Sequence, residues 1–291
     1  MIDFIIPSSF NKLFPFPFLG GKTNMKNILI KLILKQSWTI FIEPMCGSAE
    51  ISLELMKILK AHNIKRNFIL NDNDEYLMTL HYLIKSKPKF LLDNLKRLTK
   101  LEFDTLRDDT FNYDYSLIDI FNLWINSKRY LIKFDKRGKF LGRWNDEFQV
   151  KLDKILLMNE LYNYHKVCFK NVDYDELFED FIFKVDVLCY FDPPQNMNIN
   201  IDIPYNYILT TDQPIKRNNK HIQKTKIMNN KRFAYVYVRN DIKSKNNNIN
   251  LNTIIDLDSD GLGLENIDED MLTSSQFISS RYNKKGENVM F

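Results

Sequence analysis

The stretch Val185-Asp186-Val187-Leu188-Cys189-Tyr190-Phe191, continued by Asp192-Pro193-Pro194-Gln195, decides how this chain is interpreted. Its first seven residues are a short apolar run rich in β-formers, which predicts a buried strand. A carboxylate directly after such a strand lies at its carboxyl end, where open α/β sheets bind ligands. Two consecutive prolines remove backbone donors and leave carbonyl groups free to accept hydrogen bonds. These acceptors would suit an amino group, whereas the alternative interpretation is a strand followed by a simple proline turn.

Composition narrows the class of protein. The chain has 291 residues, 44% of them hydrophobic, which is enough for one large domain or for one domain with an insertion. A formal net charge of +4 permits a nucleic-acid partner but does not require one. Three cysteines without zinc-ligand spacing and four scattered histidines predict reduced thiols, no metal site and an intracellular protein. No apolar run reaches the roughly 18 residues of a membrane span, and the N-terminus does not read as a signal peptide.

A second group of motifs lies in the first quarter of the chain. Trp38–Ile42 predicts a strand, Glu43–Glu50 a turn of small and polar residues, and the apolar spacing after them a helix. Strand, turn and helix in this order open the nucleotide-cofactor half of a doubly wound sheet. Asn67–Asn71 predicts a second strand, and Asp72 ends it where an acidic residue usually accepts hydrogen bonds from ribose hydroxyls. One glycine is a weak fingerprint, because an alanine follows where another glycine would be expected.

Other segments frame these motifs. Phe14–Lys22 has two prolines and two glycines ahead of a helical pattern, so it predicts a loop whose amides and lysine hold a carboxylate; an ordinary exposed lysine is the alternative. Residues 75–107 and 148–164 have helical spacing. Val167–Val172 predicts a strand, and the acid–aromatic pair Asp173-Tyr174 after it either lines the same cleft or caps a helix.

A dense basic stretch runs from Asn126 to Trp144. Seven of its nineteen residues are Lys or Arg, interleaved with aromatic residues and hinged at Gly138. A hairpin of this composition offers cations to phosphates and planar groups to bases. A solvated basic hairpin is the alternative, but the density of the cluster in a chain of near-balanced charge favours nucleic-acid contact. The cations concerned are Lys128, Arg129, Lys133, Lys136, Arg137, Lys139 and Arg143.

Taken in order, Leu19–Lys22, Glu43–Ser48, Asn71-Asp72, Asp173-Tyr174 and Asp192–Pro194 resemble the motifs of the Dam-like DNA adenine methylase family. These α-group enzymes transfer a methyl group from S-adenosylmethionine to the exocyclic amine of adenine. The resemblance implies an α/β fold with a Rossmann-like methyltransferase sheet and helices on both faces. It implies a catalytic domain of residues 14–107 and 148–291 with an inserted target-recognition region, residues 108–147. It also implies double-stranded DNA as the partner, no metal, and either a monomer or a partner subunit. Restriction-modification is one role that the resemblance implies.

The resemblance further implies roles for individual residues. Asp192 and the Pro193 carbonyl would grip the target amine, with Pro194 and Gln195 completing the catalytic motif. Such acceptors draw the amine toward tetrahedral geometry and stabilise positive charge as the methyl group arrives, once the base has left the duplex. The implied cofactor contacts are Gly20, Gly21, Lys22, Glu43, Pro44, Cys46, Gly47, Ser48, Asp72, Asp173, Tyr174 and Asp192.

The chain departs from the family at Gln195, where the family has an aromatic residue, usually Tyr, stacked on the flipped base. Such stacking contributes ~1–3 kcal/mol per base, and Tyr205 or Tyr207 folding over the base is an alternative source of it. Three functions therefore stay open: an active DNA adenine methyltransferase, a catalytically degenerate homologue that binds DNA or cofactor as a partner subunit, and an enzyme of the same fold acting on an RNA or protein amine.

Overall fold

The structure is a computed structural model of the whole chain. It describes residues 4, 12–16, 25–109, 115–128, 139–178, 186–194, 197, 203, 205–211, 222–229, 232–239 and 272–273. For residues 109, 222–229 and 232–235 the description covers the backbone alone. No helix in these ranges is long and apolar enough to cross a membrane.

The described residues form seven helices and nine strands. The helices are α1 (Lys26–Leu34), α2 (Glu50–Ala61), α3 (Glu75–Ser86), α4 (Pro88–Asn94), α5 (Lys100–Asp109), α6 (Leu117–Ile125) and α7 (Phe148–Tyr164). The strands are β1 (Ile40–Glu43), β2 (Asn67–Asn71), β3 (Ser127–Lys128), β4 (Arg143–Trp144), β5 (Lys166–Lys170), β6 (Val187–Phe191), β7 (Asn206–Thr211), β8 (Ile222–Asn229) and β9 (Arg232–Arg239).

The chain divides into two compact units. The first contains the described residues of Met1–Leu13, Lys22–Met78 and Glu160–Leu262, and the second those of Phe14–Gly21, Thr79–Asn159 and Gly263–Phe291. The boundaries fall inside α3 and α7, so each of these helices contributes residues to both units. The boundaries 108–147 for a target-recognition region stay a prediction.

The first unit is built on a seven-stranded sheet of order β5-β2-β1-β6-β7-β9-β8. The first five strands of this order are mutually parallel, and β9 runs antiparallel between β7 and β8. Every residue of β1 and β6 is buried, as expected for parallel strands covered on both faces. The chain moves outward from β1 to β2 and β5 and then returns to β6, so the strand order reverses between β1 and β6. Doubly wound sheets bind their ligands at such a reversal.

Alternation along the strands separates two faces of the sheet. Ile40, Ile42, Ile69, Cys189 and Phe191 point to one face, where they form a core with Tyr205, Tyr207 and Tyr237. Phe41 and Phe68 point to the other face, with their ring centroids 5.9 Å apart. Continuing this alternation past the strand ends places Glu43, Asp72 and Asp192 on the second face.

Two special backbone conformations delimit α2. Ala49 precedes it with φ +49°, and Asn63 follows its end with φ +56°. The amide of Asn63 donates to the Lys60 carbonyl and that of Ile64 to the Leu59 carbonyl, both at 2.9 Å. This pair of bonds is the Schellman motif, in which a left-handed residue satisfies the last carbonyls of a helix.

The second unit contains α4, α5, α6 and the ribbon formed by β3 and β4. Residues 75–107 were predicted as continuous helical spacing, but the structure divides them into three helices. Pro88 opens α4 because its ring cannot continue a preceding helix. The Leu95 amide makes the last backbone bond of α4, to the Leu91 carbonyl. The backbone of Lys96 and Leu98 then bonds to the side chains of Asn122, on α6, and of Asn126, directly after it.

The predicted fold class is confirmed, because the chain is an α/β protein with a mostly parallel sheet. The predicted strand Asn67–Asn71 is β2 residue for residue, and the helical spacing predicted over residues 148–164 is α7. The strands β7 and β8 lie in the Asn-rich segment 196–230, for which the sequence predicted no element. Their position was decided by pairing with β6 and β9. The sequence also predicts a strand over residues 252–257 and a final hairpin over residues 277–289, and both segments lie outside the described residues.

Candidate active site

Three carboxylates meet at the carboxyl edge of the sheet, in the first unit. Glu43 ends β1, Asp72 follows β2 and Asp192 follows β6, and these three strands are neighbours. They are close enough to interact, since the negative charges of Asp192 and Asp72 both raise the pKa of Glu43. The edge therefore concentrates acceptor groups at the point where the strand order reverses.

Glu43 is the most deeply buried of the three, with 3% of its surface exposed. Burial is the main cause that raises its pKa to about 8, and the charge of Asp192 adds to this effect. The Ser52 hydroxyl, from the first turn of α2, donates a hydrogen bond to Glu43 Oε2 and lowers the pKa in part. Glu43 is therefore mostly protonated at pH 7.

The turn after β1 is closed by Asp72. The Gly47 amide donates to Asp72 Oδ2 at 2.8 Å, and the Cys46 amide donates to the Asn71 carbonyl at 2.7 Å. Gly47 has φ +49°, which glycine adopts at little cost. Ala49 has the same φ at the position where a second glycine was expected, so the alanine keeps the glycine conformation of the turn. Asp72 stays partly exposed, and burial raises its pKa.

Asn71 ties the ends of three strands together. Its side-chain amide donates to the Pro44 carbonyl at 2.8 Å and to the Val172 carbonyl at 2.9 Å, and its oxygen accepts from the Val172 amide at 3.1 Å. These bonds fix the backbone directly before Asp173 and Tyr174. Asp173 is exposed, whereas Tyr174 is half-buried and packs with Met45 against the core of the first face.

Asp192 is held by the neighbouring strand. Thr210 Oγ1, on β7, lies 2.8 Å from Asp192 Oδ1 and 3.3 Å from the Tyr190 hydroxyl. A threonine hydroxyl has one proton, so it donates to the carboxylate and accepts from the tyrosine. Thr210 is fully buried, and its hydroxyl therefore fixes the direction in which the carboxylate points.

The two prolines after Asp192 differ in what their carbonyls do. The Pro194 carbonyl accepts a hydrogen bond from the Met197 amide at 3.2 Å. Within the described residues, no donor bonds to the carbonyl of Pro193, which is half-buried. Asp192 and the Pro193 carbonyl thus offer two acceptors side by side.

The structure brings together the predicted residues of the turn, Asp72 and the Asp192 motif. Gly20, Gly21, Lys22 and Gln195 lie outside the described residues. Tyr205 and Tyr207 are 7% and 2% exposed and pack in the core of the first face, so they are not free to fold over a base. Pro44, Cys46 and Ser48 are buried.

The sequence did not identify two site residues, Ser52 and Thr210, and it did not reveal that Asn71 is a cross-link. A polar residue at the carboxyl end of an apolar run was the one signal for Thr210. Within the part of the chain that the structure describes, no three His, Cys, Asp or Glu side chains are grouped to hold a metal ion.

In the second unit, β3 and β4 pair antiparallel at the two ends of the predicted basic hairpin. Lys128 and Arg143 stand directly opposite one another, and both are exposed. Lys139 Nζ lies 2.9 Å from Asp108 Oδ1. The remaining predicted cations, Arg129, Lys133, Lys136 and Arg137, lie outside the described residues.

A family model described as "D12 class N6 adenine-specific DNA methyltransferase" matches residues 18–262. Proteins of curated function gave no match. Among solved structures, a conserved hypothetical protein of Streptococcus pyogenes is similar, with 8% identity, a TM-score of 0.36, and coverage of 75% of this chain and 97% of that one. The family match spans the turn, Asp72 and the Asp192 motif, and the chain accordingly belongs to the D12 class of N6 adenine-specific DNA methyltransferases.

Proposed function

We propose that this chain is an active DNA adenine methyltransferase that uses S-adenosylmethionine and modifies adenine within a specific sequence of duplex DNA. The observation that carries the proposal is the fixed orientation of Asp192 beside the Pro193 carbonyl, at the edge where Glu43 and Asp72 also end their strands. The Thr210 hydroxyl supports an active site because it holds this carboxylate in one orientation.

Residues at the carboxyl edge of the sheet suit the cofactor. S-adenosylmethionine, when bound, supplies a methyl group on a positively charged sulfur. Asp72 is partly exposed and has lone pairs beyond those used by the amides of Gly47 and Asp74, so it can accept hydrogen bonds from ribose hydroxyls. The half-buried ring of Tyr174 offers a flat apolar surface to an adenine ring. The carboxylates at this edge also complement a cationic ligand.

Asp192 and the Pro193 carbonyl would act on the target amine. Both accept hydrogen bonds from its two N–H groups, which turns the nitrogen lone pair away from the ring and toward the methyl group. With the amine held in this way, its lone pair would face the methyl group that the cofactor supplies, and the Asp192 carboxylate would stabilise the positive charge that develops on the nitrogen. The proton that the amine loses would pass along its hydrogen bond to the Asp192 carboxylate and from there to water. Alignment of the amine nitrogen with the methyl donor would contribute the remaining acceleration.

The second unit supports DNA as the substrate. Like charges directly opposite on paired strands destabilise a ribbon, yet Lys128 and Arg143 are paired in this way and exposed. A polyanion binding to this surface would remove the repulsion and release counterions. We include the predicted cations Arg129, Lys133, Lys136, Arg137 and Lys139 in the proposed DNA-contacting stretch.

Methyl transfer to duplex DNA tests this function directly. We expect wild type to transfer labelled methyl groups from S-adenosylmethionine to adenine, and Asp192→Ala to abolish transfer while cofactor binding persists. Gln195→Tyr should raise transfer five- to more than a hundred-fold, because recovered stacking of ~1–3 kcal/mol lowers the barrier at ~1.4 kcal/mol per decade. Gln149→Tyr makes the same substitution at an exposed position of α7 and should change nothing.

The alternatives give different results in the same assay. A degenerate homologue would bind cofactor but transfer nothing, either as wild type or as Gln195→Tyr. This outcome would favour a partner subunit, for which Gln195 is the motivating observation. Label recovered in RNA or protein, with none in DNA, would favour an enzyme of the same fold that acts on an RNA or protein amine. Nucleoside digestion of the product identifies the methylated base.

A further inference from the structure

The segment between α4 and α5, residues 95–99, is held rigidly in the second unit although it has no regular structure. Asn122 Oδ1 accepts from the Lys96 amide at 2.7 Å, and Asn126 Oδ1 accepts from the Leu98 amide at 3.0 Å. Asn126 Nδ2 donates to the Lys96 carbonyl at 2.7 Å. Two asparagines one turn apart, Asn122 on α6 and Asn126 directly after it, thus hold the backbone of this segment in place.

The same segment is joined to the ribbon of β3 and β4. Trp144 Nε1 donates to the Leu98 carbonyl at 2.9 Å, and the Asn145 amide donates to the Asn126 carbonyl at 2.7 Å. Leu98 is therefore bonded to Asn126, which precedes β3, and to Trp144, the last residue of β4. Two residues of chain span at most about 7 Å, which keeps Lys96 and Lys100 near the ribbon that carries Lys128 and Arg143.

Lys96 and Arg97 of this segment are exposed, as are Lys100 and Leu101 at the start of α5, and Arg97 forms an ion pair with Asp146. Lys96 and Lys100 are exposed, and among the described residues no carboxylate forms an ion pair with either of them. Leu101 is 77% exposed, an unusual position for a large apolar side chain. Thr99 and Glu102 form a capping box at the start of α5, so the end of this helix is satisfied internally.

We propose that Lys96, Lys100 and Leu101 form a second DNA-contacting element, which binds the duplex beside the ribbon of β3 and β4. This inference rests on the proposed function. Within the described ranges, no ion pair involves the four exposed cations Lys96, Lys100, Lys128 and Arg143, whose charges are complementary to the phosphate backbone. A locked backbone presents them with little loss of entropy on binding. Leu101 supplies an apolar contact of the kind that sugars and thymine methyl groups accept.

Salt-dependent binding of duplex DNA tests this element. Each phosphate contact contributes about 0.9 to the slope of log K against log[salt], so Lys96→Gln with Lys100→Gln should lower the slope by about 1.8. Between 50 and 200 mM salt, wild type should then lose about twelvefold more affinity than the double variant. Leu101→Glu introduces a negative charge at an exposed position and should weaken DNA binding at every salt concentration.

Three controls separate the outcomes. Lys65→Gln with Lys166→Gln removes two exposed lysines of the first unit and should leave the slope unchanged. The double variant Lys128→Gln with Arg143→Gln measures how much the cations of the ribbon contribute to the salt slope. Calorimetry with S-adenosylmethionine shows that the variants keep an intact cofactor site. The inference would be overturned if the Lys96, Lys100 double variant kept the wild-type salt slope and Leu101→Glu kept the wild-type affinity for DNA. A lower slope in the Lys128, Arg143 variant would still support the proposed function in that case. Absence of DNA binding by wild type would overturn both.

Discussion

Replacing Glu43 by glutamine, which cannot ionise, should change how the stability of the first unit depends on pH. Burial raises the pKa of Glu43 to about 8 in the folded chain, against the ordinary value of 4.5 for a glutamate. Between these values the folded state holds a proton that the unfolded state has lost, so stability is fully present below pH 4.5 and falls as the pH rises toward 8. The slope is about 1.4 kcal/mol per pH unit.

Glu43→Gln removes this dependence and keeps the shape of the side chain. The amide oxygen can still accept the Ser52 hydroxyl. The slope, integrated over pH, gives the expected difference in the free energy of unfolding. On top of any constant difference, that free energy should be higher in the variant than in wild type by about 1 kcal/mol at pH 5 and by about 4 kcal/mol at pH 8. The magnitude is large because Glu43 is buried and cannot relax toward water when it ionises.

Native-state hydrogen exchange measures this difference within the first unit. Tryptophan fluorescence mixes both units, since Trp38 lies in the first and Trp124 in the second. The protected amides of β1 and α2 report the first unit alone. Glu176→Gln makes the same substitution at an exposed position and should leave the pH dependence unaltered. Parallel curves for wild type and Glu43→Gln from pH 5 to 8 would refute the argument that Glu43 is neutral.

Two further predictions concern the same edge of the sheet. Asp72→Ala should weaken S-adenosylmethionine binding by about 1–3 kcal/mol, the scale of a lost hydrogen bond that leaves its partner unpaired; unchanged affinity in calorimetry would contradict this placement of the cofactor. Thr210→Val should lower kcat for methyl transfer roughly tenfold without weakening cofactor binding, because a hydrogen bond to a charged group contributes ~1.5 kcal/mol. Thr210→Ser keeps the hydroxyl and should restore transfer, whereas equal losses in both variants would argue against its positioning role.

The sequence alone was sufficient for the elements whose signal is local. The apolar run before Asp192 and the order of strand, turn, helix, strand and acid in residues 38–72 predicted the strands and the edge at which their acidic residues gather. Parallel strands covered on both faces are continuous apolar runs, and a residue directly after one must lie at its carboxyl end. The ordered motifs were also sufficient to indicate the family that the comparison confirmed.

Tertiary structure decided what depends on groups far apart in the chain. Asn71 bonds to Val172 across 101 residues, and Thr210 reaches Asp192 only because β7 pairs with β6. Neither partner can be read from a local pattern, since an asparagine or a threonine at a strand end has many alternative partners. The protonation of Glu43 is likewise a property of its burial, which no single segment contains. Local periodicity therefore determined where the acidic residues lie, and three-dimensional packing determined how they are oriented and charged.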